Sequence, residues 1–413
     1  MIMEPKRTGV MQRWLRARHN KSEMRWAEAV AKCLTIDDLR KVMELRVPPV
    51  VTDYFLGAAG DEQTSRDNVA AFHRARFNPY YGVKFDSVEM STKVLGHEIS
   101  IPVIAAPVGS LRTLWPHGEA VGARAIGKAG TICMLSTLTG TRLEEVKSAT
   151  TGPAWFQLYL VGGKEVALKT IKRAKDAGYS ALVLTIDTPV AGLRLRDQRN
   201  GSNELLNGTF WQKAKFIPQM MRHLSWVMSF YSDGGLMQFP NIELLDGRPM
   251  PYADISKQLQ QSAVTWDDLT WIKEAWGGPI IIKGVHNVHD AKLAEKHGAK
   301  AIVVSNHGGR QLDRVLPTLH ILREVAPAMK DSGVEVLIDG GVRSGADIVI
   351  ALAAGAKAVL VGRPYAYGLG AGGEAGVIRT FTILRDGLEH TLRQLGCDSI
   401  DHINPSHVAL YPF

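Results

Sequence analysis

Eight short apolar runs alternating with helix-like segments predict an α/β protein, a closed (β/α)8 TIM barrel, for this chain of 413 residues. Three observations carry that expectation. The runs are apolar along their whole length, as strands covered on both faces are. All four of the clearest helical segments carry a glycine at the last or last-but-one position, shortly before the next run, a common C-cap. The first run is followed by APVGS rather than a G-x-G-x-x-G helix start, which argues against a doubly wound open sheet.

In chain order the expected strands are IPVIAAP (101–107), TICMLS (131–136), AWFQLY (154–159) and ALVLTI (181–186), then PIIIKG (279–284), AIVVS (301–305), VEVLIDGG (334–341) and AVLVGR (358–363). The clearest helices cover 117–130, 164–178, 287–299 and 344–356. Residues 1–50 read as a basic helical N-terminal extension and 51–413 as the barrel unit. The start of the chain is basic, with RWLRAR at 13–18, and has no apolar signal core, so export is not expected. No window has the roughly 18 apolar residues of a membrane span.

The net charge of +8 suggests an anionic ligand or surface. No nucleic-acid partner is expected. Cys33, Cys133 and Cys397 are scattered and fit neither a disulfide framework nor a metal site. A cytoplasmic chain without a metal is the expectation.

Barrel active sites lie at the C-terminal ends of the strands. Those ends carry Pro107, Val108 and Gly109, then Ser136, then Gln157 and Tyr159, then Thr185 and Asp187. Lys283 follows, then Ser305, His307 and Arg310, then Asp339 and Arg343, then Gly362 and Arg363. IDGGVRSG and VGRP occupy the usual barrel phosphate position, where glycine N–H groups, a helix N-terminus, Arg343 and Arg363 suit a phosphate. Plain glycine turns with surface arginines are the alternative. Lys283 suits either the electron-rich edge of a flavin or Schiff-base chemistry of a lyase. His307 can act as a base steadied by Asp187, and Arg310 with Arg194 can hold a carboxylate. A loop histidine that merely caps backbone is the common alternative.

SNHGGRQLD (305–313) resembles the active-site signature of the FMN-dependent α-hydroxy acid oxidases and dehydrogenases. That family includes glycolate oxidase, L-lactate dehydrogenase, lactate monooxygenase and mandelate dehydrogenase. Ordered matches run from about residue 30 to 400, among them DYFLGAAGDEQT (53–64), FQLY (156–159), LTIDTP (184–189), KGV (283–285) and DGGVRSGAD (339–347). The resemblance implies FMN as cofactor and oxidation of an L-2-hydroxy acid, lactate-like or larger, to the 2-oxo acid. It makes His307 the base and Asp187 its partner. Arg194 and Arg310 hold the substrate carboxylate with Tyr54 assisting, and Tyr159 bonds the substrate oxygen. Pro107, Val108 and Gly109 lie against the flavin, and Ser136, Gln157, Thr185, Lys283 and Ser305 meet its polar edges. Asp339, Gly340, Gly341, Arg343, Gly362 and Arg363 hold its phosphate tail. Hydride transfer and α-carbanion formation both fit these residues. The implied acceptor is a quinone or another non-oxygen oxidant. An oxygen-using oxidase or monooxygenase is the alternative, and a lysine-dependent lyase on phosphorylated substrates or a non-catalytic flavin-binding protein are readings of another class.

Two positions depart from the family pattern. Gly109 stands where several family oxidases have alanine, and Leu138 stands where glycolate oxidase resembles a tryptophan site. The smaller Leu138 suggests a substrate side chain larger than that of glycolate. Residues 198–262 form a long insertion after strand four, either a mobile lid or a membrane-contact segment. Its 210–231 part is aromatic, Met-rich and basic, with a helix start at Pro218 and with Trp226, Met228 and Phe230 expected to face lipid if it touches a membrane. The resemblance also implies a homotetramer.

Overall fold

The computed structural model describes residues 24–410 except Gln261, so the basic run 1–23 lies outside the described residues. Eight parallel strands form the closed barrel: β1 (Val103–Ala105), β2 (Cys133–Ser136), β3 (Ala154–Leu158), β4 (Ala181–Thr185), β5 (Ile280–Val285), β6 (Ala301–Val304), β7 (Glu335–Ile338) and β8 (Ala358–Val361). Each pairs with its neighbours in sequence, and β8 closes on β1. All eight expected runs hold a strand, and nearly all are longer than it. VEVLIDGG narrows to Glu335–Ile338 because Gly340 and Gly341 adopt φ of +87° and +100°, which turns the chain out of the ladder.

Two apolar layers explain why the strands lack polar alternation. Inside the barrel, Ile104, Met134, Trp155, Val183, Ile281 and Leu337 pack on one another. A hairpin, Thr92–Val94 with His97–Ile99, contributes Val94 and Ile99 to that layer. The other strand face packs against the surrounding helices. Trp155 is fully buried. Truncating a core aromatic of this kind costs about 3–5 kcal/mol.

Helices α1 (Ile36–Arg46), α2 (Pro49–Leu56) and α3 (Gln63–Arg74) precede the barrel. A capping box starts α1, with the Thr35 hydroxyl accepting from Asp38 N–H and the Asp38 carboxylate accepting in return from Thr35 N–H. At its other end the buried Arg46 donates to the carbonyls of Leu114 and Gly370, tying α1 to the chain after β1 and β8.

The insertion folds as short helices, including Phe210–Ala214, Ile217–Arg222 and Leu224–Ser232, followed by a hairpin of Gln238–Glu243 with Pro249–Pro251 and a last helix Ile255–Leu259. Pro218 sits in the first turn of its helix, where its missing N–H costs nothing. Trp226 corrects one expectation. It is buried, its indole N–H donates to Thr113 O at 2.8 Å and its ring stacks on the half-buried Phe230. Met228 is exposed as expected, and Phe210, Trp211, Ile217, Met221, Leu224 and Tyr231 also point outward.

Helix α4 (Gly345–Ala353) starts where it crosses α5 (Arg363–Leu395). A Cβ on Gly345 would overlap the backbone of Gly387 and Leu388, and backbone cannot yield as a flexible side chain can. Gly345→Ala is expected to lower the free energy of unfolding by about 3 kcal/mol. Chemical denaturation checks this, and an unchanged midpoint contradicts it.

Candidate active site

The end of β4 leads into Asp187, the end of β6 into Ser305 and His307, and β5 carries Lys283 between them. The register sets Lys283 beside Thr185 on one side and Val303 on the other, with an irregularity before Val285. Gly284 lies at that irregularity with φ +100°, and a Cβ there would stand 2.7 Å from Asp187 Cγ. Only a glycine leaves Asp187 where it is.

His307 Nδ1 lies 2.9 Å from Asp187 Oδ1. An ionised carboxylate can only accept, so Nδ1 carries the proton and Nε2 keeps its lone pair. Burial pushes the Asp187 carboxyl up, but the His307 imidazole hydrogen-bonded to it and the charge of Lys283 hold it below the usual carboxylate range. Lys283 Nζ lies 2.8 Å from Asp339 Oδ2 and donates to Ser305 Oγ at 2.9 Å. Burial would lower its pKa, yet Asp339 and Asp187 keep it above the ordinary lysine value. A Schiff-base lysine needs a neutral amine, so this environment opposes the lyase alternative.

Two guanidiniums flank Tyr54 of α2, with Arg310 4.9 Å and Arg194 5.5 Å from its ring centroid. Arg310 Nη1 donates to the carbonyls of Tyr54 and Gly57, while Nη2 and Nε have no hydrogen-bond partner among the described residues. Burial first, and then the neighbouring Arg194, pull Arg310 down to about 10. Among the described residues, Arg194 has only a 3.8 Å contact with Asp197 as counter-charge. A bound anion would relieve both cations. Tyr159 is buried close by, with its phenol held protonated by burial and by Asp187.

One cavity of about 1140 Å³, open to solvent, joins these groups. Tyr54, Tyr159, Arg194, His307 and Arg310 line it, together with Pro107, Val108, Gly109, Ser136 and Lys283. Asp339, Gly340, Gly341, Arg343, Gly362 and Arg363 line its other part. Gln157, Thr185, Asp187 and Ser305 do not line it. Three of its neighbouring atoms, Gln157 Nε2, Thr185 Oγ1 and Asp339 Oδ1, are buried without a partner among the described residues. Orphaned polar atoms at strand ends fit a ligand that supplies donors and acceptors there, as the ring edge and ribityl chain of FMN do.

Three details refine the expectations. Arg363 donates through Nε, Nη1 and Nη2 to the carbonyls of Phe55, Gly308 and Gly57, which leaves two of its five N–H groups for a phosphate. Ser305 Oγ accepts from both Lys283 and the His307 N–H, so it steadies the base loop. A Cβ on Gly109 would stand 2.8 Å from Leu138 O, so the loop after β2 itself requires glycine there.

Other participants were not legible as site residues. Gln311 Nε2 donates to the carbonyls of Asp187 and Val190, which staples the β4 loop to the base loop. Its place in SNHGGRQLD was the available signal. Leu259 and Ala191 line the cavity beside Leu138, and Leu259 comes from the insertion, where no local motif marks it.

The model of the FMN-dependent dehydrogenase family matches residues 43–410. The chain belongs to that family. It is 37% identical over 376 residues to a putative L-lactate dehydrogenase of Mycobacterium tuberculosis, covering 91% of this chain and 89% of that protein. It is 36% identical to (S)-mandelate dehydrogenase of Pseudomonas putida over 375 residues, 90% and 93% of the two chains. The crystal structure of a monotopic membrane protein, (S)-mandelate dehydrogenase, superposes with a TM-score of 0.85 at 34% identity, covering 92% of this chain and all of that one. The family oxidises 2-hydroxy acids with FMN, so this chain is an FMN-dependent 2-hydroxy acid dehydrogenase or oxidase.

Proposed function

We propose that this enzyme oxidises an (S)-2-hydroxy acid larger than glycolate, with His307 as the base and Arg194 and Arg310 as the carboxylate clamp. The observation that carries the proposal is the set of two under-compensated guanidiniums lining one cavity with an imidazole whose free nitrogen is Nε2. FMN, when bound, accepts the two electrons that leave the substrate.

The chain's own groups then divide the work. Arg310 offers Nη2 and Nε, and Arg194 adds the second charge, so the carboxylate is fixed and the α-carbon is oriented. Tyr159 offers its phenol proton to the substrate oxygen. Nε2 of His307 takes the proton, and Asp187 stabilises the imidazolium that forms. Lys283 and Ser136 are the groups proposed for the polar edge of the cofactor, and the Asp339–Arg343 loop with Gly362 and Arg363 for its phosphate. The apolar wall of Leu138, Ala191 and Leu259 favours an uncharged substrate side chain such as lactate's or an aromatic one. A quinone-like, non-oxygen acceptor is the proposed oxidant, and a homotetramer the proposed assembly.

His307→Ala is expected to keep bound FMN and to slow its anaerobic reduction by a 2-hydroxy acid roughly 10²–10⁴-fold. A panel of acids of increasing size, followed by reoxidation with oxygen or a soluble quinone, measures substrate and acceptor together. Undiminished reduction in the variant, or no bleaching by any acid, contradicts the proposal.

Peripheral contact with the inner face of a membrane is proposed for residues 210–231. No described helix is long and apolar enough to cross a membrane. Phe210 and Trp211 are 74% and 81% exposed, and Met221 is 64% exposed, beside the exposed Lys213, Lys215 and Arg222. An exposed apolar surface with Lys213 and Arg222 nearby in sequence, and with Lys215 paired to Glu204, suits an anionic lipid headgroup layer. The full-length enzyme is expected to sediment with vesicles containing an anionic phospholipid. The double variant Phe210→Ser, Trp211→Ser should bind them several-fold less while its flavin is reduced normally. Equal sedimentation of both proteins contradicts the contact.

A further inference from the structure

A pair of buried amides lies outside every role described so far. Asn68 of α3 and Asn306 of the base loop are 2% and 5% exposed. Asn68 Nδ2 donates to Asn306 Oδ1 at 2.9 Å, and Asn306 Nδ2 donates back to Asn68 Oδ1 at 2.9 Å. Two backbone donors fix which end of each amide is oxygen. Gly309 N–H points at Asn306 Oδ1 (3.2 Å), and Thr318 N–H at Asn68 Oδ1 (3.2 Å).

The pair joins two loops of the site. On one side, His307, Gly308 and Gly309 take φ of +57°, +62° and +77°, a left-handed run that is uncommon for a residue with a side chain. Asn306 accepts from Gly309 N–H at the end of that turn, and its Nδ2 also donates to Leu316 O farther along the chain. On the other side, Thr318 Oγ1 donates to the carbonyls of Asp339 and Gly340. The Asn68 carbonyl also lies so close to Gly341 that a Cβ there would overlap it. The clasp therefore touches the turn that aims the imidazole and the glycine loop proposed for the cofactor phosphate.

We propose that Asn68 and Asn306 are positioning residues. Their reciprocal amide bonds hold the base loop in its left-handed turn and lock it to the 339–341 loop, so that Nε2 of His307 stands at a set place relative to the cofactor. The inference rests on the reading of His307 as base. In a buried network each lost bond strands its partner, so a single substitution disables the pair as a unit.

The test uses the holoenzyme and two variants. Asn68→Ala removes one partner. Asn306→Asp keeps the shape and the acceptor for Gly309 N–H but sets an oxygen against Asn68 Oδ1. Each is expected to lower the limiting rate of anaerobic flavin reduction roughly tenfold or more with KM little changed. Asn68→Ala should also weaken FMN binding to the apoprotein several-fold, read by flavin fluorescence. The double variant should be no slower than the worse single one. A rate equal to the parent's in either variant, a loss restored by excess FMN, or losses that multiply in the double variant would each overturn the proposal. If Asn68→Ala does not fold, the isosteric Asn306→Asp decides alone. His307→Ala is run beside them: if it is slow while both clasp variants are fast, only the clasp fails, and if it is itself undiminished, the base assignment fails.

Discussion

The chemistry proposed for the barrel mouth depends on keeping one half-buried carboxylate, Asp187, charged. Stripped of water, such a group would take up a proton and lose its hold on the imidazole. The imidazole of His307 prevents this first, and Lys283 adds to it from the neighbouring strand, with Asp339 2.8 Å from the lysine. The result is a line of alternating charge across β4, β5 and β7, in which each member is compensated by the next. Such a line adds little net stability, but removing one member leaves a buried charge unpaired. Gly284 belongs to the same constraint, because its absent Cβ is the space that Asp187 occupies.

The two arginines pose the opposite problem. Arg310 and Arg194 share one aromatic ring and have little negative charge near them, and burial together with the neighbouring Arg194 pulls Arg310 down to about 10. The site is thus built with a deficit that a carboxylate makes good. An imidazole backed by a charged carboxylate, in one cavity with two under-compensated guanidiniums, favours a ligand that is anionic at one end and acidic at the next carbon.

Much of this was legible in the sequence. Strands buried on both faces read as unbroken apolar runs, so all eight were found. Their ends overran where Gly340 and Gly341 turn the chain, since left-handed geometry leaves no mark on hydrophobicity. His307, Asp187, Lys283 and the arginines were legible because barrel strand ends converge. Leu259, Asn68 and Gln311 were not, because their roles come from contacts between segments distant in sequence. Trp226 misled for a related reason. An indole in an aromatic, basic segment looks interfacial until a carbonyl such as that of Thr113 is found for its N–H.

The insertion ties these levels together. Its hairpin and last helix share an apolar cluster with Tyr159, its Asp233 accepts from Arg112 at 2.8 Å, and its outer helices carry exposed aromatic residues. One segment thus walls the substrate cavity on one side and offers an apolar surface on the other.

Anaerobic stopped-flow reduction of the Asp187→Asn enzyme tests the central claim most directly. An amide of the same shape can donate to Nδ1, which moves the imidazole proton to Nε2 and cannot stabilise an imidazolium. The account predicts that FMN stays bound and that the limiting rate falls about 100-fold or more. A rate close to that of the parent enzyme would contradict it.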